Sequence, residues 1–219
     1  MNSSLLQLLV LAGIAIFLIL KLRSVLGTRD GFENPPSNQP PAGPSPRRDF
    51  AVIEGGPDRD ITDHVDAGSD AAKALAAMKM AEPGFSVSDF LGGARGAYEM
   101  ILIAFDKGDV EGLRPFLSEE VMDTFEEVIG QRQDQGLTID AQFAGVRELA
   151  LQDAHFDRTS GEAELTVRFV GELTSVVRNA EGEIIEGDPN AIKRQRDVWT
   201  FARKMGSADP NWVLAATGV

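Results

Sequence analysis

The chain contains no cysteine among its 219 residues. That excludes disulfides, thiolate metal sites and a thiol nucleophile. Histidine is nearly as scarce: His64 and His155 stand far apart in the sequence, which leaves no basis for a histidine-built metal site. Bases are outnumbered by 34 acids to 21, for a formal net charge of −13. Three of those bases lie before Asp30 and no acid does, so the remainder carries 34 acids against 18 bases. Such a surface repels phosphate backbones, and nucleic acid is not an expected partner.

Charge is missing altogether from residues 5–20, whose one strongly polar side chain is Gln7. Extended to residues 3–22, the run reaches the roughly 20 residues that a helix needs to cross a bilayer. Leu5, Leu9, Ile14, Phe17 and Leu20 supply its apolar surface, and Lys21 and Arg23 can reach headgroups at its end. No basic side chain precedes Leu5, and Lys21 and Arg23 separate the run from Val25-Leu26-Gly27. This pattern predicts a retained anchor rather than a cleaved signal. Lys21, Arg23 and Arg29 all follow the run, which places the body of the chain on the cytoplasmic side of an inner membrane. The expected organisation is an anchor over residues 1–26, a tether over 27–68 rich in proline, glycine and acids, and one domain over 69–219.

Ser69 is expected to cap a helix rich in alanine, leucine and methionine that Pro83-Gly84 stops. Phe90, Ala94, Tyr98, Ile101 and Phe105 recur at helical spacing, with Ser88 as the expected cap and a break at Gly108-Asp109. Gly92, Gly93 and Gly96 suggest close packing of this helix on a neighbour. Ser118 opens a third helix with Val121, Phe125, Val128 and Ile129 on its apolar face, and Glu119 and Glu120 suit its dipole. The period then changes to two. Ala163, Leu165, Val167, Phe169 and Leu173 alternate with polar residues, and strands are also expected at 143–151, around Trp199 and Phe201, and around Trp212 and Leu214. Helices followed by strands predict an α+β domain, with helices packed on a curved four-stranded antiparallel sheet.

No catalytic constellation assembles. His155, beside Asp153 and Asp157, reads as an edge histidine rather than a general base, and His64 as a solvated tether residue. "DFLGGARG" follows no strand and is no phosphate loop. No cofactor is predicted. Against the acidic background, "IKRQRDVWTFARK" stands out. With Trp199 and Phe201 inward, Asp197 and Arg203 share their parity. Arg194, Arg196 and Lys204, with Lys193 at the strand start, form a candidate basic patch for headgroups or an acidic partner segment. The competing reading pairs these bases with glutamates such as Glu164 and Glu172.

"ALAAMKMAEPGFSVSDFLGGARGAYEMILIAFDKGDVEGLRPFLSEEVMDTFEEVIGQRQDQG", followed by "DVWTFARKMGSADPNWVLAATGV", resembles the carboxyl-terminal domain of the Tim 44-kDa-subunit-like family. That family includes the peripheral subunit of the mitochondrial inner-membrane protein translocase and alphaproteobacterial relatives called TimA. The matching features are the helix ending in Gly108-Asp109, the Leu113 to Ser118 turn, Trp199-x-Phe201 and Asp209-Pro210-Asn211-Trp212. The bacterial relatives also share a short apolar start followed by "LRSVLG". The resemblance implies a cone of the cystatin-like or nuclear-transport-factor-like kind and no catalysis. It also implies an apolar pocket between helices and sheet, lined here by Phe90, Tyr98, Ile101, Phe105, Phe125, Leu165, Val167, Phe169, Trp199, Phe201 and Trp212. Membrane tethering, envelope or membrane-protein clients and contact with anionic lipid follow from it. The long charged segment that precedes that domain in the mitochondrial protein is replaced here by the proline-rich tether, so the resemblance leaves Hsp70 recruitment open. The sequence leaves the oligomeric state open.

Three functions are therefore carried forward. The first is a membrane-anchored, non-catalytic adaptor. The second is a lipid- or small-molecule-binding cone, which becomes enzymatic if His155 or Tyr98 meets a buried carboxylate in the pocket. The third is a secretion-apparatus scaffold, whose domain would need to face the periplasm.

Overall fold

Hydroxyl and carboxylate caps decide where the helices begin. In the computed structural model, which describes residues 58–218, Ser69 Oγ accepts from the Ala72 amide at 3.1 Å and opens helix α2 (Asp70–Ala81), after the short α1 (Arg59–Thr62). Helix α3 (Val87–Lys107) is capped by Ser86, not by Ser88 as expected. Gly108, at φ 70°, ends it in the left-handed region that a residue with a Cβ adopts at a cost. A short helix α4 (Val110–Leu113) and a 3₁₀ turn (Arg114–Phe116) lead to α5 (Glu119–Asp134), whose cap is Ser118 as predicted.

The sheet has five strands: β1 (Thr138–Phe156), β2 (Glu162–Arg178), β3 (Ile184–Gly187), β4 (Lys193–Lys204) and β5 (Val213–Gly218). The order is β1-β2-β4-β5, and β3 adds to the far end of β2. The expected α+β architecture is present, with two corrections to the sheet. β3 makes it five-stranded rather than four-stranded, and β1 extends well beyond 143–151 at both ends. All pairings between the named strands are antiparallel. Register shifts in β1 between Phe143 and Gly145, between Val146 and Glu148, and between Leu151 and Asp153 insert the bulges that curve a sheet.

Helices α2 and α3 lie against β1. The inward row of β2 (Ala163, Leu165, Val167 and Phe169) is wholly excluded from solvent, and Trp199 and Phe201 of β4 continue that row across the ladder. Leu214 of β5 joins the row, and its carbonyl accepts from the Ser118 amide at 3.0 Å, tying the sheet edge to the start of α5.

Two further expectations are corrected. The end of the stretch read as tether belongs to the domain: α1 buries Ile61 in the core, and His64 meets Ser88 Oγ at 3.2 Å instead of standing free in solvent. Gly92 and Gly93 face solvent, and a Cβ on either of them or on Gly96 would meet nothing within 4 Å. The close approach falls on Gly171, where a Cβ would lie 3.0 Å from the Tyr98 hydroxyl. Among the described residues no helix is long and apolar enough to cross a membrane. The anchor reading, with Leu5, Leu9, Ile14, Phe17, Leu20, Lys21 and Arg23, lies outside the described residues.

Candidate functional site

The concave face of the sheet places the chain's one tyrosine against a carboxylate. Tyr98, at mid-length of α3, is 0% exposed and its hydroxyl donates to Asp197 Oδ2 at 2.5 Å. Asp197 lies on β4 opposite Phe169, and its other oxygen accepts from Gln195 Nε2 at 3.2 Å. The phenol stacks on Phe169 at 4.4 Å between ring centroids and also meets Trp199 and Phe143. Burial first, and then the Asp197 charge, push the phenol far above its ordinary range. Burial raises the Asp197 carboxyl too, against the two hydrogen bonds that favour its ionised form. The hydroxyl therefore stays a donor at neutral pH. No face of the Tyr98 ring is open, so the pair holds α3 to β4 rather than waiting for a substrate.

The other pocket candidates fill the same space. Phe90, Ile101, Leu165, Val167, Phe169, Trp199 and Phe201 are all buried in one core. Phe90 packs edge-on to Phe201 and to Trp212, while Phe105 and Phe125 pair with each other and are only partly buried. The eleven residues thus come together as a packed interior. Two open clefts lie elsewhere, flanking α2. One of about 660 Å³ is lined by residues such as Asp63, His64, Asp66, Leu151 and Asp153. The other, of about 260 Å³, is lined by residues including Lys73, His155 and Arg158. His155 is exposed opposite Glu164 on the outer edge of the sheet, away from Tyr98.

The predicted parity of β4 holds: Asp197, Trp199 and Phe201 are buried, while Arg194, Arg196 and Lys204 are exposed. The basic patch itself divides. Arg194 Nε donates to Glu172 at 3.0 Å, and Arg147 shares that carboxylate, so the cross-strand pairing claims Arg194. Lys204 lies at the opposite end of β4, about 37 Å from Lys193 and about 27 Å from Arg196 along an extended strand. Lys193 and Arg196 have no ion pair among the described residues.

Two polar clamps that sequence reasoning did not assemble hold the helices in place. Asp60 of α1 accepts from the Val87 and Ser88 amides at 2.8 and 3.0 Å and pairs with Lys79 at 2.8 Å. With Ser86 accepting from Asp89, it satisfies three of the open amides at the start of α3. Partial burial would raise the Asp60 carboxyl, but the bonds from Lys79 and from those amides outweigh it and hold it far below the usual carboxylate range. A depressed folded-state pKa gives stability that is present above the unfolded value, near 4, and lost as pH falls. Asp60→Ala is therefore expected to cost about 1–2 kcal/mol at pH 7. Urea melts from pH 7 to 3 should show that gap narrowing as the pH drops. A gap independent of pH would remove the charge from the explanation.

The second clamp is Arg203, whose side chain is 7% exposed. Its Nη2 donates to Glu82 Oε2 at 2.5 Å and its Nη1 to the Pro210 carbonyl at 3.1 Å. Its guanidinium lies 5.3 Å from the centre of the Trp212 ring. Glu82 also accepts from the Gly206 amide at 2.9 Å.

Residues 71–219 match the model of the Tim44-like domain family. Subunit TIM44-1 of the mitochondrial import inner membrane translocase of Arabidopsis thaliana is 24% identical over 134 residues, covering 61% of this chain and 28% of that protein. Subunit TIM44 of Homo sapiens is 39% identical over 46 residues, 21% of this chain and 10% of that one. Both alignments span under a third of the relative's length. Among solved structures, the intermembrane-space region of the chloroplast protein ARC6 aligns at TM-score 0.40 and 14% identity over 59% of this chain and 95% of that one, too slight a likeness to argue from.

Proposed function

Because the chain belongs to the Tim44-like domain family, we propose that it is a non-catalytic adaptor of a membrane protein-transport system, held at the inner membrane by residues 1–26 with its domain on the cytoplasmic face. The observation that carries this reading is the family match over residues 71–219, downstream of the uncharged run at residues 5–20. Its relatives are named as subunits of the mitochondrial import inner membrane translocase. The chain itself fits the anchored arrangement of the bacterial, TimA-type members.

Anchoring keeps the domain at high local concentration for membrane-bound clients. Anionic headgroups meet the chain at Lys21 and Arg23 beside the anchor. The domain offers no broad cationic face, since Arg194 is paired and Lys204 stands apart. The filled interior around Tyr98 supports binding through the outer surface over turnover within a pocket.

Topology tests the reading directly. A fluorescent reporter active only in the cytoplasm, fused after Val219, should give full-length fluorescent product in the membrane fraction. A periplasm-only phosphatase at the same position should stay silent. Phosphatase activity would place the domain outside and overturn the positive-inside argument, and the periplasmic scaffold reading would replace the adaptor.

A further inference from the structure

β3 and β4 are one strand interrupted. Both run antiparallel to β2 along the same side of it: β4 pairs with Glu162 through Leu173, and β3 with Val176 through Arg178. Between Gly187, opposite Val176, and Lys193, opposite Leu173, the chain spends residues 188–192 across from only Thr174 and Ser175. The excess bulges out at Pro189 and Asn190. The β5 ladder stops at Val198. Among the described residues, then, 184–187 and 193–197 form a sheet edge with no strand beside it.

This edge is unusual in two respects. Of six exposed large hydrophobic side chains among the described residues, two lie on it, Ile184 (43%) and Ile185 (51%), and a third, Ile192 (64%), in the segment that interrupts it. Charge and Pro189 blunt this edge as is usual, but the apolar side chains held in solvent among them mark a contact surface. Its charge is also sorted along its length. Glu181, Glu183, Glu186 and Asp188 precede the bulge, and Lys193, Arg194 and Arg196 follow it.

A strand whose first half is acidic and second half basic is complementary to itself when turned end for end. We propose that this edge is a self-association surface on which a second copy of the chain packs about a two-fold axis near residues 188–192. That arrangement sets Glu186 beside Lys193 and Glu183 beside Arg196 of the other copy, twice over, with the isoleucines between them. A side-by-side arrangement in the same direction would put acid on acid. On a chain of net charge −13 most other pairings of faces repel, so the one segment dense in bases selects its own acidic half.

The absence of cysteine makes the test clean. Asn190→Cys in the full chain, in detergent micelles at micromolar concentration with a short bismaleimide, should give a covalent dimer. Asp123→Cys, on the exposed face of α5, should not. Adding K193E and R196E to the Asn190→Cys protein should cut the dimer by about fivefold, and adding E183K and E186K as well should bring it back. Equal crosslinking at positions 190 and 123, or a yield indifferent to K193E and R196E, overturns the proposal. Failure of the fourfold exchange to restore the dimer overturns the two-fold arrangement. None of these side chains is buried, and unchanged circular dichroism confirms that each variant is folded. The outcome does not depend on which side of the membrane the domain occupies, so it stands or falls separately from the topology result.

Discussion

Arg203→Ala is expected to lower the unfolding free energy by about 3 kcal/mol at pH 7, the scale on which breaking a buried ion pair destabilises a protein. The side chain joins three parts of the fold: Glu82 at the end of α2, the Pro210 carbonyl in the β4–β5 turn, and the face of Trp212. Truncation leaves a partly buried carboxylate with only the Gly206 amide, and strips Trp212 of its cation. Glu82→Gln should cost less, about 1 kcal/mol, because the amide oxygen still accepts from both donors. The paired change to alanine at both positions should cost less than the sum of the two alanine variants, since the second removal leaves no orphan. The bond from Arg203, then that from Gly206, holds the Glu82 carboxyl below its ordinary range against the effect of partial burial. Its contribution is accordingly full above the unfolded value and fades as pH falls. Chemical melts of the parent and the four variants decide the matter. A loss under about 1 kcal/mol in Arg203→Ala would mean that the pair is a surface contact.

The features readable in the sequence were those that one local rule imposes. Leu165, Val167 and Phe169 alternate with polar residues because one sheet face is buried, and the same parity puts Asp197 inward with Trp199 and Phe201. Ser69 and Ser118 announce helix starts because the hydroxyl reaches an amide three residues ahead. Arrangements made by distant residues could not be read this way. The α1 segment has no periodicity in four residues, and what orders it comes from Lys79, Ser86, Val87 and Ser88. β3 buries nothing, so its pairing with β2 leaves no hydrophobic signal. Gly92 and Gly93 look like a packing stripe but stand on the solvent side of α3, whereas the glycine that α3 approaches closely, Gly171, sits in a strand facing Tyr98. Parity named the residues lining the cone. Whether space remained among them depended on how the aromatic volumes filled it, and Tyr98, Phe169 and Trp199 fill it.

Tyr98→Ala is expected to be the most damaging single change in the domain, at about 3–5 kcal/mol, since it empties a fully buried aromatic site between Phe143, Phe169 and Trp199. Tyr98→Phe isolates the hydroxyl. It keeps the ring and removes the donor to Asp197, leaving that carboxylate with Gln195 alone, for a cost of about 1–3 kcal/mol at pH 7. The pH dependence carries the argument. Burial already raises the Asp197 carboxyl, so its ionised form favours the unfolded chain, and that penalty disappears once the pH falls below the unfolded value and both states are protonated. Losing the phenol raises the carboxyl further and enlarges the penalty only where the group is charged. The gap between Tyr98→Phe and the parent should therefore close as pH falls from 7 toward 4, and Asp197→Asn should abolish most of its pH dependence. A catalytic tyrosine would behave in the opposite way, leaving stability intact when its hydroxyl is removed. If Tyr98→Phe melted with its parent at pH 7, the pair would be idle in the fold, and the enzymatic reading of this cone would gain the support that its burial now denies it.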